Sequence, residues 1–287
     1  MPNKRQIMVD SIHGDIGISP LEKAVIDTAP FQRLRHLKQL QMGHVTYPNA
    51  THTRFAHSIG VMGIMQHIAR VAKDPLNLSE TDIEDLRLVG LLHDIGHYPY
   101  SHLMEQVDRI ELTEEFVNKD GKATIDLQVD RYSNHEELGQ IIINTQNDLI
   151  KTLGGKKRAE RIANISILTG TPSQNDKIAK LIHSSLDMDR LDYLLRDSHS
   201  TGVPYGSIDL NYIANNLRVS PSGILGVNKK ALPAVEHALI ARFFMHKTVY
   251  YHKTTYGLEE AMRQLIRRMR DTQKYELPSA GKNLSNF

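Results

Sequence analysis

The sequence predicts a mainly α-helical fold with one small β-hairpin, and three observations carry that expectation. Apolar residues recur at helical spacing over long stretches, among them Phe55 to Ile68 and Leu86 to Leu92. Helix-start signals stand before such stretches: Thr53, the box Ser79-Glu80-Thr81-Asp82 and the box Ser133-Asn134-His135-Glu136. A hairpin is read at Leu217-Arg218-Val219 and Ile224-Leu225-Gly226-Val227, which flank the turn residues Pro221-Ser222-Gly223.

In chain order, residues 7 to 20 carry a turn at His13-Gly14-Asp15, and Pro20 to Gln41 reads helical with a break or restart at Pro30. Tyr47-Pro48-Asn49 is a loop. Thr53 caps a helix running to about Ala72, in which Gly60 and Gly63 permit a second helix to approach. The next helix ends at His93-Asp94, stopped by Gly96. Asp108 to Arg131 is polar and reads as a surface excursion with a turn at Asp120-Gly121-Lys122. A helix follows His135, Thr152 to Glu160 reads as loop, and Asp176 to Asp197 reads as one helix. After the hairpin come a long helix from Ala231 to about His252 and a last one over Leu258 to Arg270.

The chain has 287 residues, enough for a sizeable core; the reading is one domain over residues 1–275 and a Gly/Pro/Ser/Asn-rich tail over 276–287 that frays. Cysteine is absent, which excludes disulfides, thiolate zinc sites and Cys nucleophiles, so any metal must be held by His, Asp and Glu. No apolar run approaches the roughly 20 residues of a membrane span, and no signal peptide is visible after Met1. A cytoplasmic protein is expected. A net charge of +2 is too weak to argue for nucleic acid, and the clusters Lys156-Lys157-Arg158 and Arg267-Arg268-Met269-Arg270 read as solvated faces.

The chemistry concentrates in Leu91-Leu92-His93-Asp94-Ile95-Gly96-His97-Tyr98-Pro99-Tyr100-Ser101-His102. A His-Asp pair at the end of an apolar helix is costly to desolvate unless something pairs with it, and a divalent ion removes that cost. Three other stretches offer ligands: His57, His135-Glu136, and Asp187 with Asp189 ahead of Asp192 and Tyr193. Each alone has a plainer reading. A single His on an apolar helix is more often a hydrogen-bonded core residue, Glu136 serves as a helix cap, and Asp187 or Asp189 pairs with Arg190. The order of all four stretches tilts the reading toward a metal-dependent phosphohydrolase.

That ordered set resembles the HD-domain phosphohydrolases, and within them the deoxynucleoside triphosphate triphosphohydrolases. The resemblance is carried by Asp27 to Arg35, Lys38-Gln39-Leu40, His52 to Gly60, the central stretch, Asn134-His135-Glu136 and Asp187 to Asp197, with Arg242 to Lys253 matching more loosely. It implies an HD-domain helical fold and hydrolysis of a deoxynucleoside triphosphate to deoxynucleoside and triphosphate. It implies His57, His93, Asp94 and Asp189 as ligands of a divalent ion, with Mn, Mg, Fe, Ni and Zn all compatible. By the same resemblance His97 and His135 face the α-phosphate, Glu136 orients His135, and His102, partnered by Glu105, protonates the leaving 5′ oxygen. Arg54, Arg190 and Arg242 would clamp the triphosphate, although each could instead pair with a local Asp. Gln39, Tyr193 and Asp197 match groups near the sugar, and Leu40 with Tyr250 the pair that crowds C2′; Tyr250 could also be plain core. Asp27 and Arg35 match an activator-nucleotide site, and a homo-oligomer is implied.

The chain departs from the pattern at Gln41-Met42, where relatives often carry glycines, at Tyr251, where they often carry Gln, and in its short C-terminus, which puts nucleotide activation in doubt. Two rivals stand beside this reading: an HD hydrolase of nucleoside monophosphates or other phosphoesters, and a nucleotide- or nucleic-acid-binding module.

Overall fold

The computed structural model describes residues 6–117, 123–131, 134–166, 177–182, 188–220 and 222–271. The chain starts with an antiparallel hairpin of β1 (Gln6–Asp10) and β2 (Gly14–Ile18), turned by residues 11–13. Helix α1 (Pro20–Ile26) begins with a Ser19/Glu22 capping box. Pro30 restarts the chain as α2 (Ala29–Gln32), which runs into a 3₁₀ turn over Arg33–His36. The expected helix to Gln41 therefore stops early. Residues 37–39 run extended beside 52–54, with Gln39 N–H donating to His52 O at 3.0 Å and Arg54 N–H to Leu37 O at 2.8 Å. Backbone pairing there takes the place of helical bonds and sets Gln39 and Leu40 beside Arg54. A short α3 (Gly43–Thr46) follows.

Two helices form the centre. Thr53 caps α4 (Arg54–Ala72), and the Ser79/Asp82 box opens α5 (Glu80–Leu92), whose C-cap is His93. Helix α4 is buried on most of its circumference, Val61, Met62, Ile64 and Ile68 among the buried residues, as expected for a helix apolar all round. Leu86, Leu88, Leu91 and Leu92 of α5 are fully buried, each contributing about 1.5–3 kcal/mol. A short α6 (His102–Glu105) leads to β3 (Asp108–Val117) and β4 (Ala123–Arg131), a long antiparallel hairpin where a surface excursion was expected; Asp120-Gly121-Lys122 lies outside the described residues.

Helix α7 (His135–Thr145) is capped by Asn134, whose side chain accepts from Glu137 N–H, so the acceptor is Asn134 with Glu137, rather than Glu136, at N3. Helices α8 (Asn147–Thr152) and α9 (Lys156–Ser166) meet at Gly154-Gly155, both at positive φ, so the expected loop shrinks to a tight turn. The helix expected from Asp176 to Asp197 is present as α10 (Lys177–Ile182) and α11 (Met188–Thr201); Asp187 lies outside the described residues. After α12 (Leu210–Asn215), β5 (Leu217–Val219) and β6 (Leu225–Val227) make the expected hairpin, the third among the described residues. Helix α13 (Leu232–Met245) passes through a π-helical turn, His246–Tyr250, into α14 (Lys253–Asp271). The predicted tail is outside the described residues. No described helix is long and apolar enough to cross a membrane.

Candidate active site

Three elements converge beneath the end of α5. His57 projects from the first turns of α4, His93-Asp94 stand at the end of α5, and Asp189 lies in the first turn of α11. One ligand atom each from His57, His93 and Asp189 lies within 4.8 Å of the others. His57 Nε2 is 2.8 Å from Asp189 Oδ1, 3.3 Å from His93 Nε2 and 3.7 Å from Asp94 Oδ2. Asp94 Oδ1 is 3.4 Å from His93 Nε2. All four residues expected as ligands are thus together. Two imidazoles and two carboxylates at these spacings suit a divalent ion.

The outer nitrogens of both imidazoles are already held. His93 Nδ1 faces Gly90 O at 2.8 Å, and His57 Nδ1 faces Asp192 Oδ2 at 2.6 Å. Each arrangement turns Nε2 toward the cluster, the orienting role such partners have around metals. Burial works against charge on His57, but hydrogen bonds to Asp189 and Asp192 outweigh it and raise its pKa to about 10. The cluster therefore carries excess negative charge, which here draws a proton and which a metal would offset. Burial likewise opposes charge on Asp94, yet Arg54, His93 and His97 hold its pKa well below the usual carboxylate range.

Asp192 is a residue the sequence reading did not single out. It is fully buried and also meets His13 Nε2 at 2.5 Å and Arg196 Nε at 2.8 Å, while Arg196 reaches back to Asp10 at 2.8 and 3.1 Å. The β1–β2 hairpin is thereby tied to His57. Gly60 makes room for this hub, since a Cβ there would stand 2.1 Å from Asp192 Oδ1 and 2.3 Å from Arg196 Nη2. An Arg four residues after Asp192, with glycine on the facing helix, was the available signal.

A second cluster adjoins the first. The rings of His97 and His135 stack at 4.0 Å with 9° between planes, and His102 stands edge-on to both. Glu105 joins them: its Oε1 is 2.9 Å from His135 Nδ1 and its Oε2 3.1 Å from His102 Nδ1. The carboxylate on His135 Nδ1 is therefore Glu105 and not Glu136, because α6 packs against the start of α7 and presents Glu105 to both the His135 backbone N–H and its ring. Burial and Arg54 push the His97 pKa well below its ordinary value, leaving a neutral imidazole. Burial opposes charge on Glu105, but His102 and His135 pull its pKa far below the normal carboxylate value. Tyr100 and Ser101 both take positive φ (61° and 47°) just before His102, strain that the surrounding packing must hold.

The stack depends on Gly96. A Cβ at that position would stand 2.0 Å from His135 O and 2.3 Å from Gly139 N, all backbone of α7. Gly96→Ala should push α7 away, destabilise the fold by about 1–3 kcal/mol and slow turnover by separating His97 from His135. Denaturant unfolding with kcat on the same sample checks this; wild-type values in both would show that α7 moves without cost.

A cavity of about 290 Å³ opens beside these clusters, lined by Gln39, Leu40, Arg54, His102, Tyr193, Asp197 and Tyr250 together with Gln41, His246, Val249, Thr255 and Glu259. Six of the eight residues expected at the substrate line this one space. Asp197 is held by His52 Nε2 at 2.7 Å and by the Tyr250 hydroxyl, which donates at 2.8 Å. His52 and His246 are contributors that sequence reasoning left unassigned. Gln41 keeps the left-handed backbone (φ 48°) that glycine favours, so the turn survives the departure and adds a side chain to the cavity. Arg54 is not a free clamp: Nη1 donates to Asp94 Oδ2 at 2.5 Å and Nε to Ser101 Oγ at 2.7 Å. Arg190 and Arg242 do not line the cavity but stand near enough to His246 to lower its pKa, after the larger effect of burial. Asp27 and Arg35 are exposed and engaged locally, Asp27 with Lys23 and Arg35 with Gln32 and the face of Phe55.

Comparison with known proteins agrees with this geometry. The model of the HD domain matches residues 54–197, from the start of α4 to Asp197, and that of the HD-associated region matches 208–280. The chain is 37% identical over 252 residues to an uncharacterized protein of Methanocaldococcus jannaschii, covering 87% of this chain and 46% of that one. It is 27% identical over 272 residues to the deoxynucleoside triphosphate triphosphohydrolase SAMHD1 of Bos taurus, covering 86% of this chain and 45% of that one. The crystal structure of a phosphohydrolase from Bacteroides thetaiotaomicron superposes with a TM-score of 0.76 at 30% identity, covering 96% of this chain and 62% of that one. The chain thus spans about half the length of these two curated relatives. Because the HD model begins and ends on the helices that bring His57, His93-Asp94 and Asp189 together, and because the whole fold superposes on a phosphohydrolase, the chain belongs to the HD-domain phosphohydrolase family.

Proposed function

We propose that this chain hydrolyses deoxynucleoside triphosphates to deoxynucleoside and triphosphate. The supporting observation is the shared cavity: Gln39, Leu40, Tyr193, Asp197 and Tyr250 stand in one space with His102 and with Arg54, which bonds Asp94 of the His/Asp cluster. His57, His93, Asp94 and Asp189 would hold a divalent ion, which polarises a phosphoryl oxygen and makes water more acidic. The other residues have work of their own. His102 Nδ1–H donates to the Glu105 carboxylate, which turns Nε2 outward; the imidazolium form of the ring would pass its Nε2 proton to the leaving 5′ oxygen. General acid help of this kind is worth roughly 10²–10⁴-fold. The neutral ring of His97, and His135 stacked on it, would hydrogen-bond the α-phosphate. Half-buried Arg242, whose Nε is buried without a partner among the described residues, would take the outer phosphates, with Arg190 beside it.

The sugar tests the proposal. Leu40 and Tyr250 would wall C2′, and the Tyr250 ring is fixed by Asp197 and set edge-on to Tyr193 at 6.0 Å. A loose pocket rejects an added hydroxyl only about 10²-fold; a fixed wall that also strands the hydroxyl without a partner does better. The four dNTPs and four NTPs should therefore separate by more than that factor in kcat/KM, and Tyr250→Ala should narrow the gap. Equal rates on dGTP and GTP in the wild type would remove the triphosphohydrolase reading. The engagement of Arg54 by Asp94 favours one rival, a hydrolase of nucleoside monophosphates or smaller phosphoesters, and the same chromatography distinguishes it by product. Self-association is part of the proposal: Leu239, Ile240, Phe243 and Phe244 give α13 an exposed apolar face, the kind of patch that partners cover. An activator nucleotide at Asp27 and Arg35 would first have to displace their local contacts.

A further inference from the structure

The second histidine cluster has the composition of a metal site in its own right. His97, His102, His135 and Glu105 each offer one ligand atom, and these four atoms lie within 4.8 Å of one another. The three Nδ1 atoms surround one carboxylate: His135 at 2.9 Å and His97 at 4.0 Å from Oε1, and His102 at 3.1 Å from Oε2. Around a tetrahedral zinc-type ion, with bonds near 2.1 Å, ligand atoms stand about 3.4 Å apart. The observed separations bracket that value. A second observation points the same way. His97 is 1% exposed, and its Nδ1 is buried with no hydrogen-bond partner among the described residues, although it faces Glu105. A buried polar atom without a partner is costly, and an ion between it and Glu105 would remove that cost. The opposite nitrogen, Nε2, lies 3.2 Å from Asp94 Oδ1, so His97 and Asp94 link this cluster to the first.

We propose that His97, His102, His135 and Glu105 form a second metal site, selective for a borderline-soft divalent ion such as Zn²⁺ or Co²⁺, and that its occupation turns hydrolysis off. The selectivity follows from three imidazoles with one carboxylate; Mg²⁺ prefers oxygen ligands and its own waters. The inhibitory effect follows from proton chemistry and rests on the acid–base roles given above. A ring with Nδ1 on a metal keeps its proton on Nε2 and cannot cycle it. Binding would displace the Nδ1 protons of His102 and His135 to solvent.

The test counts ions. Metal-free full chain is titrated with Co²⁺, following the visible absorption of tetrahedral Co²⁺ and, after dialysis, the metal content. Wild type should bind two equivalents. His102→Asn, at a half-exposed position where the fold tolerates change, and Glu105→Gln should each bind one. Asp189→Ala should also bind one, and Asp189→Ala with His102→Asn none. A single equivalent in the wild type, or two in His102→Asn, overturns the site. Hydrolysis of dGTP should rise with the first equivalent and fall with the second; constant turnover through the second overturns the inhibitory role. Absence of dGTP hydrolysis at every loading would count against the proposed function while leaving the ion count to decide the second site.

Discussion

Asp189→Ala is expected to remove the metal held by His57, His93 and Asp94, and phosphohydrolase turnover with it, while leaving the helices intact. Asp189 contributes Oδ1 to both His57 and His93, yet its side chain is 29% exposed, so its loss strands no buried partner completely. Asp94→Ala would also empty the site, but it would leave Arg54, 4% exposed, without its carboxylate. Breaking a buried pair on one side costs about 3–5 kcal/mol, so that variant confounds chemistry with stability. Elemental analysis, circular dichroism and phosphate-ester hydrolysis on one sample of Asp189→Ala decide the matter; full metal content would falsify its place in the site. A pH dependence accompanies it. Asp189 and Asp192 raise the His57 pKa to about 10, above its ordinary value, so in the metal-free protein the ring is protonated near neutral pH. Metal must displace that proton, and affinity should rise with pH up to about 10 and level off above it. Calorimetry in buffers of different ionisation enthalpy measures the released proton.

Asp192 carries the second large effect. It joins His57, His13 and Arg196; its own side chain is fully buried and Arg196 is 2% exposed. Asp192→Ala should lower stability by about 3–5 kcal/mol, because among the described residues Arg196 then keeps Asp10 alone. The milder Asp192→Asn keeps the shape and removes the charge that fixes the His57 ring; loss of such a partner typically costs 10–100-fold in metal affinity. Denaturant unfolding is read for the first variant and metal competition for the second. If Asp192→Asn holds metal as tightly as wild type, the hub supports the fold alone.

The sequence by itself determined where the main helices start and which side chains form the first cluster. Thr53, Ser79 and Asn134 carry cap chemistry within three residues of the backbone they satisfy, and that chemistry is local. The His-Asp run and its spaced companions are legible for a related reason, since ligands must come from few residue types and here cysteine is excluded. Partner choice is different. Glu136 stands next to His135 in sequence, but Glu105, 30 positions away, is the group on its Nδ1, because the docking of α6 on α7 decides which carboxylate arrives. Asp192 looked like one acid among several until α11 packed against Gly60 and turned it toward His57 from behind. Ile125, Leu127 and Val129 alternate with Asp126, Gln128 and Asp130, a strand signal that the polarity of residues 108–131 as a whole outweighed in the reading; pairing between β3 and β4 settled it. Cap and ligand chemistry is written in short runs of residues, whereas the approach of two helices is set by burial summed over their whole lengths, and only the folded chain performs that sum.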